Sequence, residues 1–279
     1  MESTHKLAGR QSRRQLLRGA AGLGLAAGGA LLAGCANQVA PFIVQVDQGA
    51  PVMLLGGVHV GCFEVFGNDS VRTIRDLKGK TVGVPAISSA PHVFLSSMAA
   101  YVGLDPRVDI NWFIHDTADS AQVLTDGTVD ALIGFAPVPQ ELRAKGIGHV
   151  VVNSAVDKPW SQYFCCTLAA NSHWAQQHPV AAKRSLRAIL KATDVCAKEP
   201  ERVARHMVDG GFTASYDYAL QTMNDVPYNR WREYDPEDTI RFYALRLHEI
   251  GMIKSSPEQL ISKGTNWKFF NEIKQELKV

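Results

Sequence analysis

Short apolar runs alternate with capped helical segments between Thr81 and Asn153, and this rhythm restricts the fold more than any other feature of the chain. Thr81-Val82-Gly83-Val84 predicts a strand. The residues after it predict a helix, with Ser88 or Ser89 as N-cap, Val93, Phe94, Met98 and Tyr101 as apolar positions and Gly103 as the stop. Residues 109–114 predict a strand, 117–126 a helix closed by Gly127, and 129–135 and 148–153 two more strands. Such alternation predicts an α/β fold with its sheet covered on both faces.

Two further strands are predicted at 42–46 and 52–55, and a last one at 163–170. Beyond Asn171 the chain turns helical, over 179–198, 200–208, 215–224, 236–250 and 266–277, each bounded by Pro, Gly, Asn or Asp. In 179–198 Leu186, Ile189, Leu190 and Thr193 make one stripe. Lys183, Arg184, Arg187 and Lys191 fall largely on the other face, which reads as solvated.

The N-terminal segment reads as a targeting signal rather than part of the fold. Arg10, Arg13, Arg14 and Arg18 precede an uncharged run over 19–34 that is too short and too rich in Gly and Ala to span a membrane as a stable helix. Ser12-Arg13-Arg14-Gln15-Leu16-Leu17-Arg18 matches the twin-arginine pattern. Leu32-Ala33-Gly34-Cys35 resembles the lipobox of bacterial lipoproteins. The expectation is therefore a signal peptide over 1–34, export by the twin-arginine route, and a lipid anchor on Cys35 at the periplasmic, outer face of the cytoplasmic membrane.

Charge excludes one class of partner. The chain has 29 Lys and Arg against 27 Asp and Glu, but residues 1–34 hold five of the bases and one of the acids. The body is left slightly acidic, with no basic footprint for nucleic acid. Cys62, Cys165, Cys166 and Cys196 fit no CxxC or zinc spacing and read as buried apolar thiols. His173 and His178 lie five apart, off a common helical face, so neither a metal nor a cofactor is expected.

The segment Ile74-Arg75-Asp76-Leu77-Lys78-Gly79-Lys80-Thr81-Val82-Gly83-Val84-Pro85 resembles the entry to the second lobe in solute-binding proteins of ABC importers, in the group handling nitrate, sulfonates, taurine and thiamine-pyrimidine precursors. The likeness continues through Asp130-Ala131-Leu132-Ile133-Gly134-Phe135 and Trp160-Ser161-Gln162-Tyr163-Phe164 into the helical tail. It implies a two-lobed, periplasmic-binding-protein-like (type II) fold with a helical C-terminal flank. Lobe I would comprise 36–85 and 159–279, lobe II 86–158, with crossings near 84–86 and 159–164. It implies a small-molecule ligand trapped between the lobes, delivery to an ABC permease powered by its ATPase, and no catalytic residue. One departure stands out: about two βα units that open the family's first lobe have no counterpart before 42–55, which would leave an incomplete sheet with exposed edges. Lower stability, or a partner chain filling the gap, would follow.

Candidate ligand contacts follow from position. Ser88 and Ser89 follow a strand and open a helix, where hydroxyls and unpaired N–H groups suit an anion or polar group, and His92 lies in the first turn. Phe135 and Pro137 sit at a strand's carboxyl end. Trp160, Tyr163 and Phe164 gather at the second crossing as aromatic faces for a flat ring or methylene chain. Gly57, His59 and Glu64 follow an apolar strand, and Glu64 suits a cationic amine. Two rival readings remain. One is an enzyme like the pyrimidine synthases of this fold, whose cysteine-rich iron-binding run is matched here only by Phe164-Cys165-Cys166. The other is a truncated remnant that binds nothing.

Overall fold

The computed structural model describes residues 38–277. The expected signal peptide and the lipidation site Cys35 lie outside the described residues. In chain order the first part comprises helix α1 (Val39–Asp47), strands β1 (Val52–His59), β2 (Phe63–Gly67) and β3 (Thr81–Val84), and helix α2 (Ala90–Tyr101). Strand β4 (Asn111–Ile114), helix α3 (Ser120–Thr125), strand β5 (Ala131–Phe135), helix α4 (Val138–Lys145) and strand β6 (His149–Asn153) follow. Strand β7 (Cys166–Asn171) leads to helices α5 (Ser172–Gln177), α6 (Pro179–Lys198), α7 (Pro200–Asp209), α8 (Tyr216–Asp225), α9 (Pro236–Glu249), α10 (Pro257–Gly264) and α11 (Lys268–Glu276).

Among the described residues the strands form two sheets. One is five-stranded in the order β4-β3-β5-β2-β6, and the other pairs β1 with β7. Strand β3 runs parallel to β4 and β5, whereas β2 runs antiparallel to both β5 and β6. Helix α2 starts as its sequence requires: Ser89 Oγ accepts from the His92 N–H at 3.5 Å, Pro91 occupies the first turn, and Gly103 at φ +86° follows the end.

The structure corrects three expectations. Residues 42–46 belong to α1, not to a strand. Val39, Ala40, Phe42 and Ile43 are buried, and Asp47 holds the next-turn anchor by accepting from the Lys254 and Ser255 N–H groups at 3.1 and 2.7 Å. Burial of one helical face outweighs the β preference of a Phe-Ile-Val run. Strand β2 was not anticipated, because the charge of Glu64 breaks its apolar run, yet all five of its residues are buried. Strands β2 and β3 share the five-stranded sheet, so the chain makes its first crossing between the sheets at residues 60–62. The chain returns to the β1/β7 sheet over residues 154–165. Finally, the basic face of α6 is not simply solvated. Lys183 pairs with Glu272 at 2.5 Å and Glu276 at 2.9 Å, and Arg187 pairs with Glu276, which straps α6 to α11.

Close approach explains two glycines on β1. A Cβ on Gly57 would lie 2.3 Å from the Phe164 ring, and one on Gly56 would lie 2.7 Å from Phe270. Both rings are fully buried and stand edge-on at 6.1 Å, so β1 is pressed directly onto the aromatic core. The two-stranded sheet is partly covered at its edges by its own chain: Gln38 bridges Cys166, Thr265 bridges Leu54, and the Asn266 N–H donates to the Leu54 carbonyl at 2.9 Å. Among the described residues no helix is long and apolar enough to cross a membrane.

Candidate functional site

Glu64 sits in the second position of β2, just past the first crossing, and is 5% exposed. Cross-strand pairing sets it opposite Gly134 of β5, and that glycine leaves the face open for Val138 at the start of α4. One turn and a half later, α4 presents Arg143. Its guanidinium forks, one nitrogen donating to Glu64 Oε1 and the other to Asp225 Oδ2 at the end of α8. Gln140, one turn earlier on α4, donates from Nε2 to the same Asp225 oxygen at 3.4 Å. A strand of the five-stranded sheet, a helix covering it and a helix of the C-terminal flank are thus joined through one cation.

The charges do not balance. Two carboxylates face one guanidinium, and burial holds the Glu64 carboxyl above its usual range; Arg143 opposes that rise, while Asp225 and Asp157 add to it. Hydrogen bonding is incomplete as well. Glu64 Oε2, Gln140 Oε1 and Arg143 Nε are buried with no partner. Each such group costs about 1–3 kcal/mol when left unmet.

The same crossing carries a second group. His59 ends β1, Cys62 lies in the turn to β2, and Cys166 begins β7 directly opposite His59. Their ligating atoms all lie within 4.8 Å of one another. The Tyr228 ring stands edge-on to His59 at 4.9 Å, so the segment following Asp225 flanks this group too.

The remaining expected contacts are distributed around this centre. Ser88 is exposed with φ 65°, alone among non-glycine described residues in the left-handed region, and its N–H donates to His92 Nδ1 at 3.3 Å. His92 is therefore the tautomer protonated on Nε2. Burial lowers its pKa and keeps it neutral, edge-on to Trp112 at 4.6 Å. Ser88, Ser89 and His92 thus form one constellation at the carboxyl end of β3. Phe135 lies opposite Phe63, on the face of the sheet away from Glu64. Trp160 is 4% exposed and packs among Phe94, Tyr101 and Phe242, while Tyr163 stacks on Phe242 at 4.0 Å. The structure does not bring either aromatic to Glu64; Tyr163 instead edges a groove of about 730 Å³ with Glu233, Asp235 and Asp238. Arg143, Gln140 and Asp225 went unnoticed in the sequence, where nothing local links residues 79 and 82 positions apart. The signal that was available is the spacing of His59 and Cys62 around a glycine.

Comparison with solved structures establishes the fold. The chain superposes on the periplasmic aliphatic sulphonate binding protein SsuA of Escherichia coli with a TM-score of 0.59 and 16% identity, over 78% of this chain and 74% of that one. It superposes on the periplasmic nitrate-binding protein NrtA of Synechocystis PCC 6803 with a TM-score of 0.61 and 14% identity, over 87% and 74%. The desulfurization enzyme DSZB is also similar, at 0.58 and 17% identity over 87% and 85%. No curated protein matches in sequence. The architecture is the periplasmic-binding-protein fold, and because residues 22–203 match the family described as NMT1/THI5 like, the chain belongs to that family.

Proposed function

We propose that the chain is the solute-binding component of an ABC importer, which captures a small molecule between two lobes and passes it to a membrane permease driven by an ATPase. Residues 63–153 would form the second lobe, and 38–59 with 166–277 the first. The observation that carries this reading is the Arg143 fork, which spans from β2 of the five-stranded sheet to the end of α8 in the flank and leaves three buried polar atoms unmet. Access to those atoms requires the lobes to part, which separates Arg143 from Asp225. Ligand would then supply the missing hydrogen bonds and favour closure.

The unmet atoms also rank the ligand classes. Glu64 Oε2 and Gln140 Oε1 accept, and Arg143 Nε donates. Their complement carries two N–H donors beside one acceptor, the edge of an aminopyrimidine. Nitrate and a simple sulfonate are acceptors only, and they would meet two carboxylates. The proposed ligand is therefore of the aminopyrimidine type.

A thermal-shift panel of aminopyrimidines, taurine, alkanesulfonates and nitrate tests this. Ligand at 100 times its dissociation constant stabilises by about 2.7 kcal/mol, so an aminopyrimidine should raise the melting temperature while nitrate leaves it unchanged. A shift with nitrate or sulfonate alone would overturn the ranking, and a flat panel would favour the remnant. An enzyme of this fold would be separated by product formation, since the proposed binder returns its ligand intact. Residues 1–35 support export by the twin-arginine route and a lipid anchor on Cys35, which would keep the binder beside its permease.

A further inference from the structure

We propose that His59, Cys62 and Cys166 form a three-ligand site for a thiophilic d¹⁰ cation, Zn(II) foremost, fastened across the two crossings of the chain. The donor set is two thiols and one imidazole, a soft to borderline combination that leaves one tetrahedral position for water or solute. The backbone delivers it from three places. His59 and Cys166 are cross-strand partners in the β1/β7 register. Such partners project to the same side of a sheet. Cys62 is folded back over them by Gly61, whose φ of +82° and contact with Ala155 admit no side chain.

Distances fit the assignment. Cys62 Sγ lies 3.1 Å from Cys166 Sγ and 4.0 Å from His59 Nε2. Metal–sulfur bonds of about 2.3 Å at tetrahedral angles place sulfurs about 3.8 Å apart, so the two thiols need to part by only a fraction of an ångström. His59 Nδ1 lies 3.0 Å from the Val60 carbonyl. A carbonyl only accepts, so Nδ1 carries the proton and Nε2 is the nitrogen that can ligate. Metal-bound histidines are fixed by this same kind of second hydrogen bond.

Because His59 and Cys62 flank the first crossing and Cys166 closes the second, one ion would tie both hinge segments together. This reading does not depend on what the cleft binds.

The test uses the full chain, reduced and freed of metal, titrated with Zn(II) against a chromophoric chelator and separately with Co(II). One equivalent of Zn(II) and a near-ultraviolet thiolate-to-cobalt band are expected. Cys62→Ser, in a partly exposed turn, should weaken Zn(II) binding on the order of 100-fold or more. Cys196→Ser should bind as the parent chain does. Absence of stoichiometric Zn(II) binding by the reduced, folded chain would overturn the proposal. So would equal affinity in Cys62→Ser, or a mass two hydrogens lighter from a Cys62–Cys166 disulfide whose reduction restores no binding.

Discussion

Replacing Arg143 with Ala should destabilise the protein in a strongly pH-dependent way. The substitution strands Glu64, whose side chain is 7% exposed, and releases Asp225, which at 31% can rehydrate. Breaking a fully buried pair costs about 3–5 kcal/mol. Arg143 is 25% exposed, so water already screens part of the pair, and the expected loss near neutral pH is about 2–3 kcal/mol. The pH dependence follows from Glu64. Its folded pKa is raised, so between the unfolded and folded values the folded state holds a proton that the unfolded state has released. Stability from this group therefore falls as pH rises through that window, at up to about 1.4 kcal/mol per pH unit. Removing the guanidinium that opposes the rise widens the window. Denaturant unfolding of R143A should accordingly show its largest deficit near neutrality and recover a kcal/mol or more toward about pH 5. Glu64→Gln in the same background should restore most of the loss, because a neutral amide needs no counter-charge. An equal deficit at both pH values, with no rescue by Glu64→Gln, would refute the assignment of Glu64 as the buried charge that Arg143 compensates.

Other outcomes follow from geometry. Gly57→Ala should lower stability by about 3 kcal/mol or more in the same assay, since its Cβ would meet the buried Phe164 ring at 2.3 Å and neither partner has room to yield. Ser88→Gly should be neutral to stabilising by about 0.5 kcal/mol, because the strain at φ 65° is offset by the greater freedom of glycine when unfolded, whereas Ser88→Val should lose more than about 1 kcal/mol. Cys35→Ala, expressed in an exporting bacterial host, should move the protein from the washed membrane fraction to the soluble extract.

Local chemistry made much of the architecture readable. Pro179 and the stripe of Leu186 and Leu190 define α6 at its observed bounds, Ser89 caps α2, and the strand–helix alternation from Thr81 onward supplies four of the five strands of the larger sheet, β3 to β6, with the helices between them. These signals act over one or two turns, through capping, periodicity and stop residues, so they survive without tertiary context. What escaped is what context decides. The Phe-Ile-Val run of α1 prefers a strand until one helical face is buried. Glu64 hides β2 because a lone charge looks exposed until Arg143 arrives from 79 residues away. Cys62 and Cys166 look like unrelated thiols across 104 residues until the β1/β7 register and the turn at Gly61 bring them together. Most of the elements after Thr81 and the family resemblance belong to the sequence. The polar cluster at the crossing, and with it the candidate site, exists only once non-local strand pairing has set the register, because no short-range interaction distinguishes these side chains from their solvated counterparts.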